Sequence, residues 1–217
     1  MIKSYNELTV GKYQELRKLD LEGLDALEQQ VAILAILNDM DEEDVFNMPL
    51  PEYQQLAQDM RFLDQPPVFN HKRCPKTIKI DDEVFDVVQD ARTLTAGQYI
   101  DYQHYLGADN FDEQLPNILT VFVIPQGKGY CEDYDIGELA QKFKDRMPII
   151  TALEISSFFL HQSQISIKAS LTSLRIKLRM MKMGTRDKEL RKMIQEAIDN
   201  LGLLKDSTDS LVGLTQP

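Results

Sequence analysis

The chain has 217 residues, 43% of them hydrophobic and 27% charged, with a formal net charge of −11 at pH 7. These values suit a globular protein with a core of its own, and the acidic balance argues against a surface given over to nucleic acid. No apolar run approaches the roughly 18 residues of a membrane span, and the first residues lack the apolar stretch of a signal peptide. The two cysteines, Cys74 and Cys131, form no CxxC pair and are expected to be reduced thiols.

The first element is announced by Leu8-Thr9-Val10-Gly11-Lys12-Tyr13. Thr9 is an N-cap residue, and Leu8 and Tyr13 have the spacing of a hydrophobic staple around it. Ala26 to Leu37 follows as a helix of strong formers without a breaker, holding the apolar segment Val31 to Leu37. The acidic run Asp39 to Asp44 lacks the glycine and the closing glutamate of a calcium loop and reads as an acidic helix start. Met48-Pro49 then opens a helical stretch over Pro51 to Leu63. Pro66-Pro67 ends this part of the chain.

Thr77 to Ile80 and Val84 to Val87 alternate as the strands of a hairpin around the acidic turn Asp81-Asp82-Glu83. The opening phrase then returns as Leu94-Thr95-Ala96-Gly97-Gln98-Tyr99, now with Gln98 placed to complete a capping box. Asn117 to Val123 repeats the earlier apolar segment at the same offset, and Met147-Pro148-Ile149 repeats Met48-Pro49-Leu50 after an insertion. The collinear order marks two related helical units. The shared Gly11 and Gly97 allow another backbone to come close, or are simply tolerated in a first turn. Ile124 to Tyr134, with Pro125, Gly127 and Gly129, is expected to be a surface loop. Ile149 to His161, Ser163 to Met183 and Arg186 to Leu201 are expected helices, the second stopped by Gly184, and 202–217 is expected to be mobile or to order on a partner.

No set of residues for catalysis stands out. The three histidines, His71, His104 and His161, share no metal-ligand spacing, and His71 with Cys74 lacks a second ligand pair, so no metal and no cofactor is expected. Gln126-Gly127-Lys128-Gly129 has neither the GKS/GKT ending nor the strand–loop–helix frame of a phosphate cradle. The candidate partner-binding residues are the tyrosines Tyr99, Tyr102 and Tyr105 and the basic helix residues Arg175, Lys177, Arg179 and Lys182. Between Lys168 and Lys192 nine Lys/Arg stand against Asp187 and Glu189, a local net of +7 on an otherwise acidic chain. This segment either packs on its own acidic body or docks an acidic partner, and nucleic acid is not expected as a ligand.

The hairpin Thr77–Val87 followed by Leu94-Thr95-Ala96-Gly97-Gln98-Tyr99-Ile100-Asp101, the apolar helix near Ile118 to Val123 and a Pro/Gly loop ending at Tyr134 resembles a phrase of tailed-bacteriophage assembly modules. It is most similar to the tail-assembly-chaperone-like proteins of phages, including crAss-like and other Bacteroidetes phages. The resemblance covers about residues 75–162, with an echo in 5–63. It implies a non-enzymatic morphogenesis protein that binds a phage tail or other virion protein in the bacterial host cytoplasm. The alternative is a stable virion component such as a head–tail connector or tail subunit. The expected fold is mainly α (α+β): a helical unit over 1–65, a linker with the hairpin over 66–90, a second helical unit over 91–162, and basic helices with a tail over 163–217. Self-association and the absence of a membrane partner complete the expectation.

Overall fold

A computed structural model describes residues 2–70, 72–108, 110–184, 189 and 192–199; the side chains of 164–172, 175, 179 and 182–184 lie outside that description. The fold is mainly α with one small antiparallel sheet.

Both threonines cap the helices they were expected to start. Thr9 Oγ1 accepts from the Lys12 N–H at 3.3 Å and opens α1 (Val10–Lys18). Thr95 Oγ1 accepts from the Gln98 N–H at 3.2 Å, Gln98 Oε1 accepts from the Thr95 N–H at 3.0 Å, and this box opens α5 (Ala96–Leu106). α2 (Ala26–Asn38) has a capping box of its own, Asp25 with Glu28, and ends at Asp39 in the left-handed conformation (φ 54°). Lys12 Nζ donates to the Leu37 carbonyl at 3.0 Å and pairs with Asp39 at 2.6 Å, a cation at the negative end of α2. The acidic run is therefore divided: Asp39 closes α2, and Asp41 precedes α3 (Glu42–Phe46). α4 (Leu50–Asp59) starts beside Pro49 and tightens into a 3-10 turn over Met60–Asp64.

β1 (Thr77–Ile80) and β2 (Glu83–Val87) pair with Ile80 opposite Glu83, so the turn is the two residues Asp81 and Asp82, with Asp81 at φ 53°. Glu83, expected in the turn, is the first strand residue. α6 (Phe111–Phe122) runs directly into β3 (Val123–Pro125), which pairs antiparallel with β2. The expected loop from Ile124 thus begins only after Pro125. Proline fits there because β3 is an edge strand, with no further neighbour among the described residues to receive its missing N–H.

α7 (Ile136–Arg146), capped by Asp135, occupies sequence for which no element was expected; it buries Leu139, Ala140 and Phe143. The helices expected over Ile149–His161 and Ser163–Met183 are one helix, α8 (Ile149–Gly184), since nothing between them breaks a helix. Of the expected helix Arg186–Leu201, residues 189 and 192–199 are described and helical, with Ile194 and Ile198 buried. The tail 202–217 lies outside the described residues.

Contacts divide the chain into a unit Met1–Phe159 and a second that begins at Leu160. Within the first, the opening phrase docks against the second Met-Pro pair. The Val10 N–H donates to Met147 O at 3.0 Å and the Ile149 N–H to Leu8 O at 2.7 Å, with Thr9 bridged to Pro148. Leu8, Val10, Met147 and Ile149 are fully buried at this join. The main core gathers Phe85, Ile118, Phe122, Phe143, Ile155 and Phe159, with Phe122 and Phe159 stacked at 3.7 Å. A smaller core of Val31, Leu34, Ala35, Val45 and Leu56 ties α2, α3 and α4 together. Burial of this kind supplies the main driving force of folding.

Gly11 and Gly97 divide the two readings between them. A Cβ on Gly11 would lie 3.0 Å from the Lys144 carbonyl oxygen, so glycine lets α1 and α7 approach. At Gly97 the nearest atoms would be 4.0 Å away, and the glycine is tolerated.

Candidate partner-binding surfaces

α5 has an inner and an outer face, and the three candidate tyrosines are spread over both. Tyr102 is 3% exposed and packs edge-on against Phe122 at 5.0 Å, so it belongs to the core and offers no partner surface. Tyr105 is half-buried, and burial, followed by the nearby Asp101 charge, raises the pKa of its phenol. Only Tyr99 faces solvent, 55% exposed, beside Ile100 at 64%. Helix geometry explains the spread: from Tyr99 to Tyr105 is six steps of about 100°, which ends on another side of the helix. Leu94 packs against the core while Tyr99 does not, so only Leu8 and Tyr13 both turn inward as the staple spacing predicts.

The exposed face is held firmly from beneath. Gln98 is buried and its Nε2 donates to the Val121 carbonyl at 2.7 Å, a group at the C-terminal end of α6 that has no partner within its own helix. The Tyr130 hydroxyl donates to Asp101 Oδ2 at 2.6 Å and ties the loop 126–135 to the middle of α5. Burial, then the Asp101 hydrogen bond, pushes the Tyr130 phenol well above its usual range.

That loop uses its polar groups internally. The Gly129 N–H donates to Glu132 Oε2 at 2.9 Å, Lys128 Nζ to the Asp133 carbonyl at 2.7 Å, and the Cys131 N–H to the Tyr134 hydroxyl at 3.1 Å. Cys131 and Asp133 both have positive φ, at 60° and 57°. The glycine amide and the lysine that a phosphate cradle would need are thus engaged by a carboxylate and a carbonyl of the loop itself.

Among the described residues no group of three His, Cys, Asp or Glu could hold a metal ion. His71 lies outside the described residues, and its candidate partner Cys74 is a free, half-buried thiol that burial, with help from the Glu154 charge, pushes up to about 12. Cys131 is free and exposed.

The basic candidates Arg175, Lys177, Arg179 and Lys182 all stand on α8, where the Lys177 side chain is exposed and the other three side chains fall outside the description. The apolar residues around them stand in solvent as well. Leu174, Ile176, Met180 and Met181 are 45%, 52%, 55% and 61% exposed. Leucine and methionine left in water on a helix are the usual material of a helix–protein contact. Among the described residues no helix is long and apolar enough to cross a membrane.

Comparison with protein-family models, with curated proteins and with solved structures gives no match to this chain.

Proposed function

We propose that this chain is a non-enzymatic morphogenesis protein of a tailed phage, similar to tail-assembly chaperones, which holds another tail or virion protein in the host cytoplasm during assembly. The observation that carries this reading is the outer face of α5. The phrase that bears the resemblance folds into a helix fixed by its capping box, by Gln98 and by Tyr130, and on it Tyr99 and Ile100 are left in solvent. A preorganised helix with an exposed aromatic and a β-branched neighbour supports binding, because little freedom remains to be lost when a partner arrives.

The test is capture from infected cells with the tagged full-length chain, followed by mass spectrometry. The expected result is recovery of one tail protein, lost in Tyr99→Ser with Ile100→Ser while the circular dichroism stays helical. Capture unchanged in that variant overturns the assignment of the surface. A stoichiometric amount of the chain in purified particles replaces the chaperone role with that of a virion component. Turnover that disappears on changing one polar residue, with the fold intact, overturns the non-enzymatic reading.

A further inference from the structure

The segment from Leu19 to Met60 contains eleven Asp/Glu and no Lys, Arg or His. Two of its carboxylates are neutralised by the N-terminal part of the chain, Asp39 by Lys12 and Asp59 by Lys3. Asp41, Glu42, Glu43, Asp44 and Glu52 are exposed and form no ion pair among the described residues. Amid them Phe46 is 75% and Leu50 65% exposed. A tight connection holds these two side chains close along the chain: the Asn47 N–H bonds to Glu43 O at 3.0 Å and the Met48 N–H to Val45 O at 3.3 Å. Val45 beneath is 1% exposed and anchors α3 in the smaller core, so the corner is a fixed surface.

Two large apolar groups rimmed by unneutralised carboxylates suit an apolar helix with a basic flank, and repel nucleic acid and anionic lipid. The chain carries such a helix. On α8 positions 174, 178 and 181 recur at helical spacing and form one stripe, with Leu174 and Met181 exposed. The basic positions 175, 179 and 182 repeat that spacing one residue on and form the adjoining stripe.

We propose that the Phe46–Leu50 corner of one copy receives the Leu174–Met181 stripe of α8 from a second copy, with basic positions 175, 179 and 182 against the acidic rim of Asp41 to Asp44. Charge complementarity selects the occupant, because every copy carries one acidic apolar corner and one basic apolar helix. In a two-fold dimer the contact is made twice, as an isologous pair of surfaces requires. The inference is independent of the virion-partner reading, since Tyr99 and Ile100 take no part in it.

The experiment is sedimentation of the full chain over a range of concentration and salt. The expected result is a reversible dimer that dissociates as salt rises. Two charge-reversed chains, E42K/E43K/D44K and R175E/R179E/K182E, should each be monomeric alone. Mixed, they should associate one to one, because corner and helix are again of opposite sign in both directions. F46Q/L50Q, which alters only exposed side chains, should weaken the wild-type dimer roughly tenfold or more, as expected on losing anchor side chains. A wild-type chain that stays monomeric at every concentration overturns the proposal. So does a dimer indifferent to F46Q/L50Q, or folded charge-reversed chains that fail to associate when mixed.

Discussion

Gln14 Nε2 donates at 2.5 Å to the carbonyl of Asp112, the one acceptor in α6 that Pro116 cannot serve. Proline lacks the N–H that would close the helical bond from position 116 to position 112, and the buried amide of Gln14 takes its place. Arg17 and Lys18, one turn further along α1, pair with Asp112 and Glu113 at 3.3 Å and 2.7 Å. These outer pairs are exposed and contribute little, so the glutamine is the element that matters.

Gln14→Leu is therefore expected to destabilise the fold by about 1 kcal/mol, the order of one part-buried hydrogen bond lost. In a Pro116→Ala background the alanine N–H can serve Asp112, and the same substitution should cost less. Urea unfolding of the four chains in a double-mutant cycle checks this. Equal costs in both backgrounds would show that Gln14 does not substitute for the missing N–H.

The two glycines of the repeated phrase should respond in opposite directions to alanine. At Gly11 the added methyl meets the Lys144 carbonyl at 3.0 Å, and Gly11→Ala should lower stability by about 1–3 kcal/mol. At Gly97 the added methyl would meet Thr95 and Tyr130 at an ordinary van der Waals distance of 4.0 Å within a helix, and Gly97→Ala should be neutral or stabilising by less than about 1 kcal/mol. The midpoints of denaturant unfolding measure both.

The thiols should separate by rate. Exposed Cys131 should react with a disulfide reagent at once, whereas Cys74, half-buried with its pKa pushed up to about 12, should react only slowly in the folded chain. The kinetics of thiol release report this, and both groups should react alike after unfolding in urea.

Alkaline pH should destabilise the fold through its tyrosines. Tyr5, Tyr13, Tyr105, Tyr130 and Tyr134 all have raised phenol pKa values, with burial the largest cause in each. Between the unfolded value of about 10 and the higher folded values the native state holds more protons, so stability is complete below about pH 10 and falls as pH rises beyond it. Phenolate absorbance should appear at higher pH in the folded chain than in urea. Tyr130→Phe should reduce the pH dependence of stability and, by removing the bond to Asp101, cost about 1–2 kcal/mol at neutral pH.

What could be read from the residues alone was the local chemistry. Thr9, Thr95 and the alternation of Thr77–Val87 announce their elements because caps and strand periods depend on near neighbours. β3 could not be read, because Val123-Ile124-Pro125 continues the apolar run of α6 and becomes a strand only through β2, far back in sequence. α7 is marked in the sequence by the cap Asp135 and the apolar face of Leu139 and Phe143, but it has no counterpart in the first helical unit, so the repeat does not announce it. A row of tyrosines does not say which face is inward, so in sequence Tyr102 suits a partner surface as well as the core. The box at Thr95 does say so once Gln98 is known to be buried, since Tyr102 follows it by four.

The join between Leu8-Thr9-Val10 and Met147-Pro148-Ile149 brings the ends of the first unit together across almost its whole length. Closing so long a loop costs entropy before any contact repays it, so the join is expected to form late in folding. On the ribosome the segment around Leu8 is synthesised early and must wait for nearly the entire unit to emerge. Its apolar residues, fully buried in the finished protein, are in solvent until then.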